Sequence, residues 1–314
     1  MSGADRSGDA YRRPDPARPP AVNPLTRRFD ALVERYHGPE GDRFALEELA
    51  PVARQFAPPG GRALEVGCGY GRNLVALASC PGLKVTGCDV MLGELRRARE
   101  RLGTLPAEAR DRVTLAQQEP DRLPFADGAV DLVVLWQVLE HVYGQAAKRR
   151  LIDECVRVLR PGGHLLIETP NQWFPVDYHD NNLPLAHWVL PRAAREWATW
   201  KVRGDRYPPS EYLSLPGCER LLRGSPGVSR VTKATRLYFA PSFGAAWRSL
   251  GGTQVPLKRA IFAALAPLHA LVAPFGGSVD PLLPSIRAVW RIDKRDGGEG
   301  RKAESAPSAA PQRH

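Results

Sequence analysis

No two of the five cysteines in this 314-residue chain are spaced C-x-x-C, and an odd number cannot all pair. That spacing excludes a zinc-ribbon site and a disulfide framework, and it suits a reducing compartment. No apolar run reaches the length of a bilayer crossing. The most apolar stretch, "AIFAALAPLHALVAPF" (260–275), holds two prolines and a histidine, so it is read either as a cover over a pocket or as a contact with a membrane surface. The N-terminus lacks the apolar core of a secretory signal, which gives cytoplasm as the expected location. No helix-turn-helix or RNA-binding signature is present, so nucleic acid is not an expected partner. There is no internal repeat, and oligomeric state leaves no trace in the sequence.

What is present is enough apolar content for a sizeable core, 43% of residues, between two tails with little to bury. Residues 1–22 and 294–314 are rich in Pro, Gly, Ser, Ala and charge and are expected to be disordered. The net charge of +10 is uneven: residues 187–260 hold 13 Lys or Arg against 4 acids. A solvated basic face, an acidic substrate and an anionic membrane surface are the three readings of that excess.

Periodicity divides the rest. Residues 23–60 have helical spacing, as in "LTRRFDALVERYH" and "DRFALEELAPVARQFA". Short apolar runs then alternate with amphipathic stretches. Strands are expected at 62–67, 84–89, 112–118, 130–137 and 164–171, with helices at 73–80, 91–103 and 146–159, the last stopped by "RPGG". Such alternation gives right-handed βαβ units and a parallel sheet, whose ligands sit at the carboxyl ends of the strands. The alternation breaks after residue 171. An aromatic- and His-rich insertion (172–209) precedes a helix at 210–224 and a strand at 229–240. A second insertion (242–283) precedes a last strand at 284–293. The fold class is therefore α/β, doubly wound, with a mainly parallel seven-stranded sheet, N-terminal helices and two insertions over the C-terminal strand ends.

The chemistry starts at "ALEVGCGYGRN" (63–73). A dinucleotide fingerprint needs a small residue where Arg72 stands, and a P-loop needs a G-K-[ST] ending that is missing. Asp89, at the end of the second strand, suits ribose hydroxyls in several cofactor classes. Glu65, two residues before Gly67, discriminates among them. Its carboxylate repels a pyrophosphate and balances an ammonium or sulfonium.

Four ordered motifs carry a resemblance: "LEVGCGYGRN", "CD" at 88–89, "DRLPFADGAVDLVVLWQVLEHV" (121–142) and "RVLRPGGHLLIETPN" (157–171). Over these 110 or so residues the chain resembles the class I S-adenosylmethionine-dependent methyltransferases, and more closely their small-molecule, quinone-biosynthesis-like group. The resemblance implies a Rossmann-like core at 61–171 within a domain spanning 23–293, and S-adenosylmethionine as cofactor. It implies that Glu65 orients the methionine ammonium, and that Gly67, Cys68, Gly69 and Gly71 admit the homocysteine moiety. Asp89 would take the ribose, Val90 and Glu119 the adenine, and Gln137 would lie under the methionine. Pro120 departs from the pattern, because the family's adenine contact there is a backbone N–H.

Methyl transfer to a hydroxyl requires that its proton be removed, and histidine is the usual agent. His141, just past the fourth strand, is one candidate, and the adjacent His179 and Asp180 form another. Trp173, Tyr178, His187 and Trp188 are candidates for binding the acceptor, with Phe174, Trp197 and Trp200 as further lid aromatics. Too few ligands are spaced to predict a metal site. The expected activity is methyl transfer to a small molecule, at an oxygen of a glycan, polyketide or quinone-like compound. C- or N-methylation of a lipid-linked or anionic metabolite is the alternative, and a non-catalytic cofactor-binding module is the reading from another class.

Overall fold

Five short apolar segments become parallel strands in the computed structural model, which describes residues 38–119, 122–203, 208–236, 239, 243–248 and 255–295. They are β1 (Arg62–Val66), β2 (Lys84–Asp89), β3 (Val113–Gln117), β4 (Val130–Trp136) and β5 (Leu159–Pro170). A small separate hairpin follows, β6 (Val176–Asp177) with β7 (Leu183–Pro184). Then β8 (Val228–Lys233) and β9 (Ser285–Lys294) complete a seven-stranded sheet of order β3-β2-β1-β4-β5-β9-β8. Within it β9 runs antiparallel to both of its neighbours.

β4 explains why the sheet is covered on both faces. Its sequence "VDLVVLW" is apolar without alternation, as a central parallel strand requires, and all of it but Asp131 is buried. Val133 and Leu135 face one core together with Leu165, Ile167, Ile152 and Cys155. Leu132, Val134 and Trp136 face the other, with Leu166, Leu74, Leu77 and Leu49. Helices α1 (Pro39–Phe56) and α2 (Arg72–Ala78) cover that second face. The remaining helices of this half are α3 (Leu92–Leu102), α4 (Ala107–Arg110) and α5 (Gln145–Val158), and α5 packs on the first face.

Most of the expected strands and helices are present with boundaries shifted by a few residues, but the strand expected over 229–240 ends at Lys233, and two further corrections follow. "RPGG" was expected to separate helix from strand, yet α5 ends at Val158 and β5 begins at Leu159. Gly162, at φ 72°, lets the chain turn inside the ladder rather than before it. The tail was expected to begin at 294, but Lys294 ends β9 and donates to the Arg157 carbonyl at 3.1 Å. The segments 1–22 and 296–314, and the first of the expected N-terminal helices, lie outside the described residues.

Topology puts both insertions at one edge. The first leaves the C-terminal end of β5 and contains the hairpin, α6 (Ala186–Val189) and α7 (Arg192–Arg203). α8 (Leu215–Arg223) follows, its N-terminus capped by the Ser214 hydroxyl, which accepts from the Gly217 N–H. The helix expected over 210–224 is thus shorter, and 210–214 is extended or bridged instead. The second insertion leaves the end of β8, which runs in the direction of β5. It contains α9 (Phe243–Arg248) and α10 (Val255–Val272) and returns to Ser285 beside Pro170. Among the described residues no helix is long and apolar enough to cross a membrane.

Close packing between α2 and the sheet depends on Gly87 in β2. A Cβ there would lie 2.5 Å from Leu74 Cδ1 and 3.0 Å from Cys68 Sγ, and both neighbours are buried with little room to give. Gly87→Ala is expected to destabilise the fold by ~1–3 kcal/mol through overpacking. The urea midpoint checks this, and an unchanged midpoint would mean that α2 can slide away from the strand.

Candidate active site

β1 carries Glu65 into the sheet edge and then turns through three glycines of positive φ, at 71° for Gly67, 49° for Gly69 and 79° for Gly71. At Gly67 the constraint is also one of space, since a Cβ would meet Val138 Cγ2 at 2.6 Å. This is where β1 and β4 part company, the point at which strand order reverses and ligands enter such sheets. The N–H groups of Gly67 and Cys68 both donate to the Cys88 carbonyl, at 2.8 and 3.0 Å, which pins the turn to the end of β2. The Cys68 side chain is buried, and burial pushes its thiol well above the ordinary range, so it stays protonated.

Two carboxylates flank this turn. Glu65 is buried, and its Oε1 accepts from Asn73 Nδ2 at 2.7 Å. Its Oε2 is buried with no partner. Burial raises the carboxyl to about 8, against the pull of the Asn73 hydrogen bond and the Arg72 charge. A buried oxygen of this kind is a site waiting for a donor, and a cationic one gains most. Asp89 is held differently. Its Oδ2 accepts from the Gly69 N–H at 2.8 Å and its Oδ1 from the Met91 N–H at 2.9 Å. Each oxygen keeps one acceptor direction open for a ligand hydroxyl.

Beyond Asp89, Val90 is exposed at 42%, and its carbonyl accepts from Gln117 Nε2 at 3.2 Å. Glu119 is exposed in an isolated bridge with Arg122, and Pro120 lies outside the described residues. On the other side, Gln137 ends β4 at φ 56°, a backbone conformation that a non-glycine residue adopts at some strain. Its N–H donates to the Glu168 carbonyl at 2.8 Å. The turn Leu139–His141 follows at once.

Past that turn the fold assembles what sequence spacing hid. Glu140 is completely buried; Thr169 Oγ1 donates to its Oε2 at 3.0 Å, and its Oε1 has no hydrogen-bond partner. Burial, followed by the nearby Glu168, raises its carboxyl to about 8. His179 Nε2, from the first insertion, lies 4.0 Å from that Oε1 and is itself without a hydrogen bond. The His141 and His179 rings are 5.3 Å apart. Burial and then the Arg203 charge hold both imidazoles neutral, His141 at about 4 and His179 well below its usual value. Tyr212 lies 6.4 Å from His179 and 5.2 Å from His187, and His187 lies 5.3 Å from Trp188, all edge to face. A row of five rings therefore runs from the end of β4 to the half-exposed Trp188.

Adjacency in sequence offers Asp180 as the partner of His179, but the structure gives that place to Glu140. Asp180 is buried, with Oδ2 accepting from the Ser210 N–H at 2.7 Å and Oδ1 from the Ser210 hydroxyl at 2.8 Å. Arg195 reaches both Asp180 and Asp177, at 3.3 and 3.4 Å, and Arg203 stands 3.8 Å from Asp180. Asp177 also accepts from the Tyr212 hydroxyl. Asp180 is thus the tie that fastens the insertion. The same contacts absorb part of the positive charge in 187–260, with Lys233 paired to Asp280 and Arg223 to Glu219. His187 Nε2 and Trp188 Nε1 both meet the Gln172 carbonyl, at 3.0 and 2.6 Å. Phe174 is core, edge-on to Tyr178 at 5.9 Å, whereas Trp173 and Trp197 are exposed. Glu140 and Tyr212 were missed by sequence reasoning. Glu140 stood inside the "LEH" that supplied His141, while nothing local marks Tyr212.

A doubly wound sheet with a half-satisfied carboxylate at its β1 turn and an acid at the end of β2 defines a nucleoside-cofactor-binding domain that favours a cationic ligand. Residues 64–167 match the family model described as "Methyltransferase domain". Over 163 residues, 51% of this chain and 56% of the relative, it is 35% identical to a probable S-adenosylmethionine-dependent methyltransferase of Mycolicibacterium smegmatis. It is 28% identical to a ubiquinone biosynthesis O-methyltransferase of Alkalilimnicola ehrlichii, over 54% of this chain and 69% of that protein. To the 27-O-demethylrifamycin SV methyltransferase of Amycolatopsis mediterranei it is 32% identical, over 47% of this chain and 58% of that one. These matches span a little over half to about two thirds of the relatives' length.

The Asp180 tie generates a stability test. Asp180→Ala leaves the Arg195 guanidinium buried with one acid fewer, and breaking a buried pair costs roughly 3–5 kcal/mol. Faster limited proteolysis within 172–210, with a lower melting temperature, is the expected outcome. Wild-type cleavage rates would show that the insertion is fastened elsewhere.

Proposed function

We propose that the chain is an S-adenosylmethionine-dependent O-methyltransferase acting on a hydroxyl of a small glycan, polyketide or quinone-like molecule. The observation that carries the reading is a juxtaposition on one sheet edge. The unpartnered Glu65 oxygen at the end of β1 stands beside the turn that leads, across Val138, to two neutral imidazoles past β4. The ubiquinone biosynthesis O-methyltransferases among the relatives support oxygen as the acceptor atom.

The residues divide the work along that edge. Glu65 receives the methionine ammonium, and ionises as it does so. Asp89 offers its two open acceptor directions to the ribose hydroxyls, and Val90 and Glu119 lie at the adenine end. S-adenosylmethionine, when bound, supplies a methyl group already activated by a positive sulfonium. The chain's part is alignment and a dry, aromatic-walled approach. His141 and His179, neutral at pH 7, are placed to accept the hydroxyl proton, with Glu140 beside His179. The ring row from His179 through Tyr212 and His187 to Trp188 provides a wall for a flat or sugar-like acceptor.

Calorimetry against S-adenosylmethionine, S-adenosylhomocysteine and NAD tests the cofactor, and binding of NAD alone would overturn the assignment. Asp89→Ala should weaken S-adenosylhomocysteine binding at least ~tenfold, two ribose bonds being roughly 1 kcal/mol each. Glu65 gives a pH dependence. Its carboxyl titrates near 8 in the free protein, and an ammonium beside it favours the ionised form, so binding releases a proton below pH 8. Affinity should therefore rise between pH 6 and 8, by up to about tenfold per unit, and Glu65→Gln should flatten that rise. Turnover is read as a gain of one CH2 in mass when protein and cofactor are incubated with metabolite extracts. His141→Ala and His179→Ala should each lower that signal by ~100-fold or more while leaving S-adenosylhomocysteine affinity within a factor of about two.

A further inference from the structure

Glu140, His141 and His179 are spaced by sequence as no metal motif would be, one pair adjacent and the third residue 38 positions on. The fold nevertheless brings one ligand atom from each within 4.8 Å of the others, the one such group of three among the described residues. We propose that these three side chains bind a divalent transition-metal cation, leaving open positions for an acceptor oxygen.

Three observations converge. The first is hydrogen bonding. Thr169 occupies one oxygen of the fully buried Glu140, and the other is left without a partner, as is the His179 Nε2 that faces it at 4.0 Å. Two orphaned buried polar atoms aimed at each other need an explanation, and an ion between them is one. Metal bonds of about 2.0–2.2 Å hold neighbouring ligand atoms roughly 3–3.5 Å apart, so a small inward rotation of His179 closes the shell. The second is ligand chemistry. Two imidazoles and one carboxylate, with no thiolate, form the donor set of Zn²⁺, Mn²⁺, Fe²⁺ or Co²⁺ sites that keep open positions. The third is charge. Glu168 and Asp180 lie close enough to act on Glu140, so the site is rich in acid. Arg203 opposes that charge at both imidazoles and Lys148 at His141, so the acids and the direct ligands must outweigh them.

The ligands also make sense of the fold around them. The Glu140 carbonyl accepts from the Glu211 N–H at 2.9 Å, and Arg203 donates to the His179 carbonyl, so both ligand-bearing segments are held from outside the cluster. His141 and His179 keep some exposure while Glu140 has none, which places the open positions on the histidine side. A hydroxyl oxygen bound there loses its proton more readily, as metal-bound water does. This role rests on the proposed O-methylation. The two imidazoles then serve as ligands, and the proton leaves to solvent rather than to either ring.

The test uses the full chain freed of metal by chelator and dialysis, titrated calorimetrically with ZnCl2 and, separately, MnCl2. One ion per chain is expected, with affinity falling at least ~100-fold in His179→Ala and in Glu140→Gln, since even changes behind the ligands are worth roughly 10- to 100-fold. His187→Ala, outside the cluster, should bind as wild type does. Visible absorption of the Co²⁺-loaded protein should show the d–d bands of a low-coordinate site, and these should vanish in His179→Ala. S-adenosylhomocysteine binding by each variant controls for folding and separates this proposal from the methyltransferase reading. No binding of any of the three ions, or binding indifferent to His179→Ala, would overturn the site even if methyl transfer is confirmed.

Discussion

Removing carboxylates from water is the constraint on which this structure turns. Glu65, Asp89, Glu140, Glu168, Asp177 and Asp180 are all buried at or beyond the carboxyl ends of the strands. Each needs a donor or a cation in place of the solvent it lost. Asp177 and Asp180 receive Arg195, and Glu168 receives Arg287 at 3.5 Å; these acids hold the insertion and the last strand to the core. Asp89 is met by two backbone N–H groups. Glu65, Glu140 and Glu168 each have one buried oxygen left without a hydrogen bond, but Glu168 has the Arg287 guanidinium beside its other oxygen. What separates architecture from function along this edge is therefore which acids the protein satisfies by itself.

Much of the fold was legible because its signals are local. The unbroken apolar run of β4, the glycines after β1 and the acid closing β2 each speak through a few consecutive residues. Where reading failed, the deciding partner was remote. The "RPGG" after α5 contains every signal of a break, yet β9 supplies ladder partners for Gly163 and His164 and the strand continues through it. The excess of Lys and Arg in 187–260 reads as a basic face, but Arg195 and Arg203 point inward to acids of the preceding hairpin. The pairing of His179 with Glu140 rather than Asp180 follows the same rule. Neighbours in sequence point to opposite sides of an irregular loop, and only the packing of that loop against the β4 end decides who meets whom.

The candidate site draws on the two halves of the domain unequally. The cofactor side is built within one continuous stretch, 64–167, where the family match also lies. The side proposed for the acceptor is built from an insertion that owes its position to buried ion pairs. In such an arrangement the insertion can be remodelled without touching the glycine turn at the end of β1.

Gly69 differs from the other two glycines of the turn. Gly67 and Gly71 face side chains at contact distance, whereas nothing lies within 4 Å of where a Cβ on Gly69 would project. The requirement there is handedness, not volume: a left-handed backbone beside open space. A mirror-image alanine introduced by chemical synthesis would satisfy that torsion and project its methyl into free space, whereas its natural enantiomer would not. Against the protein's own atoms, then, the turn at Gly69 is constrained by chirality and not by packing.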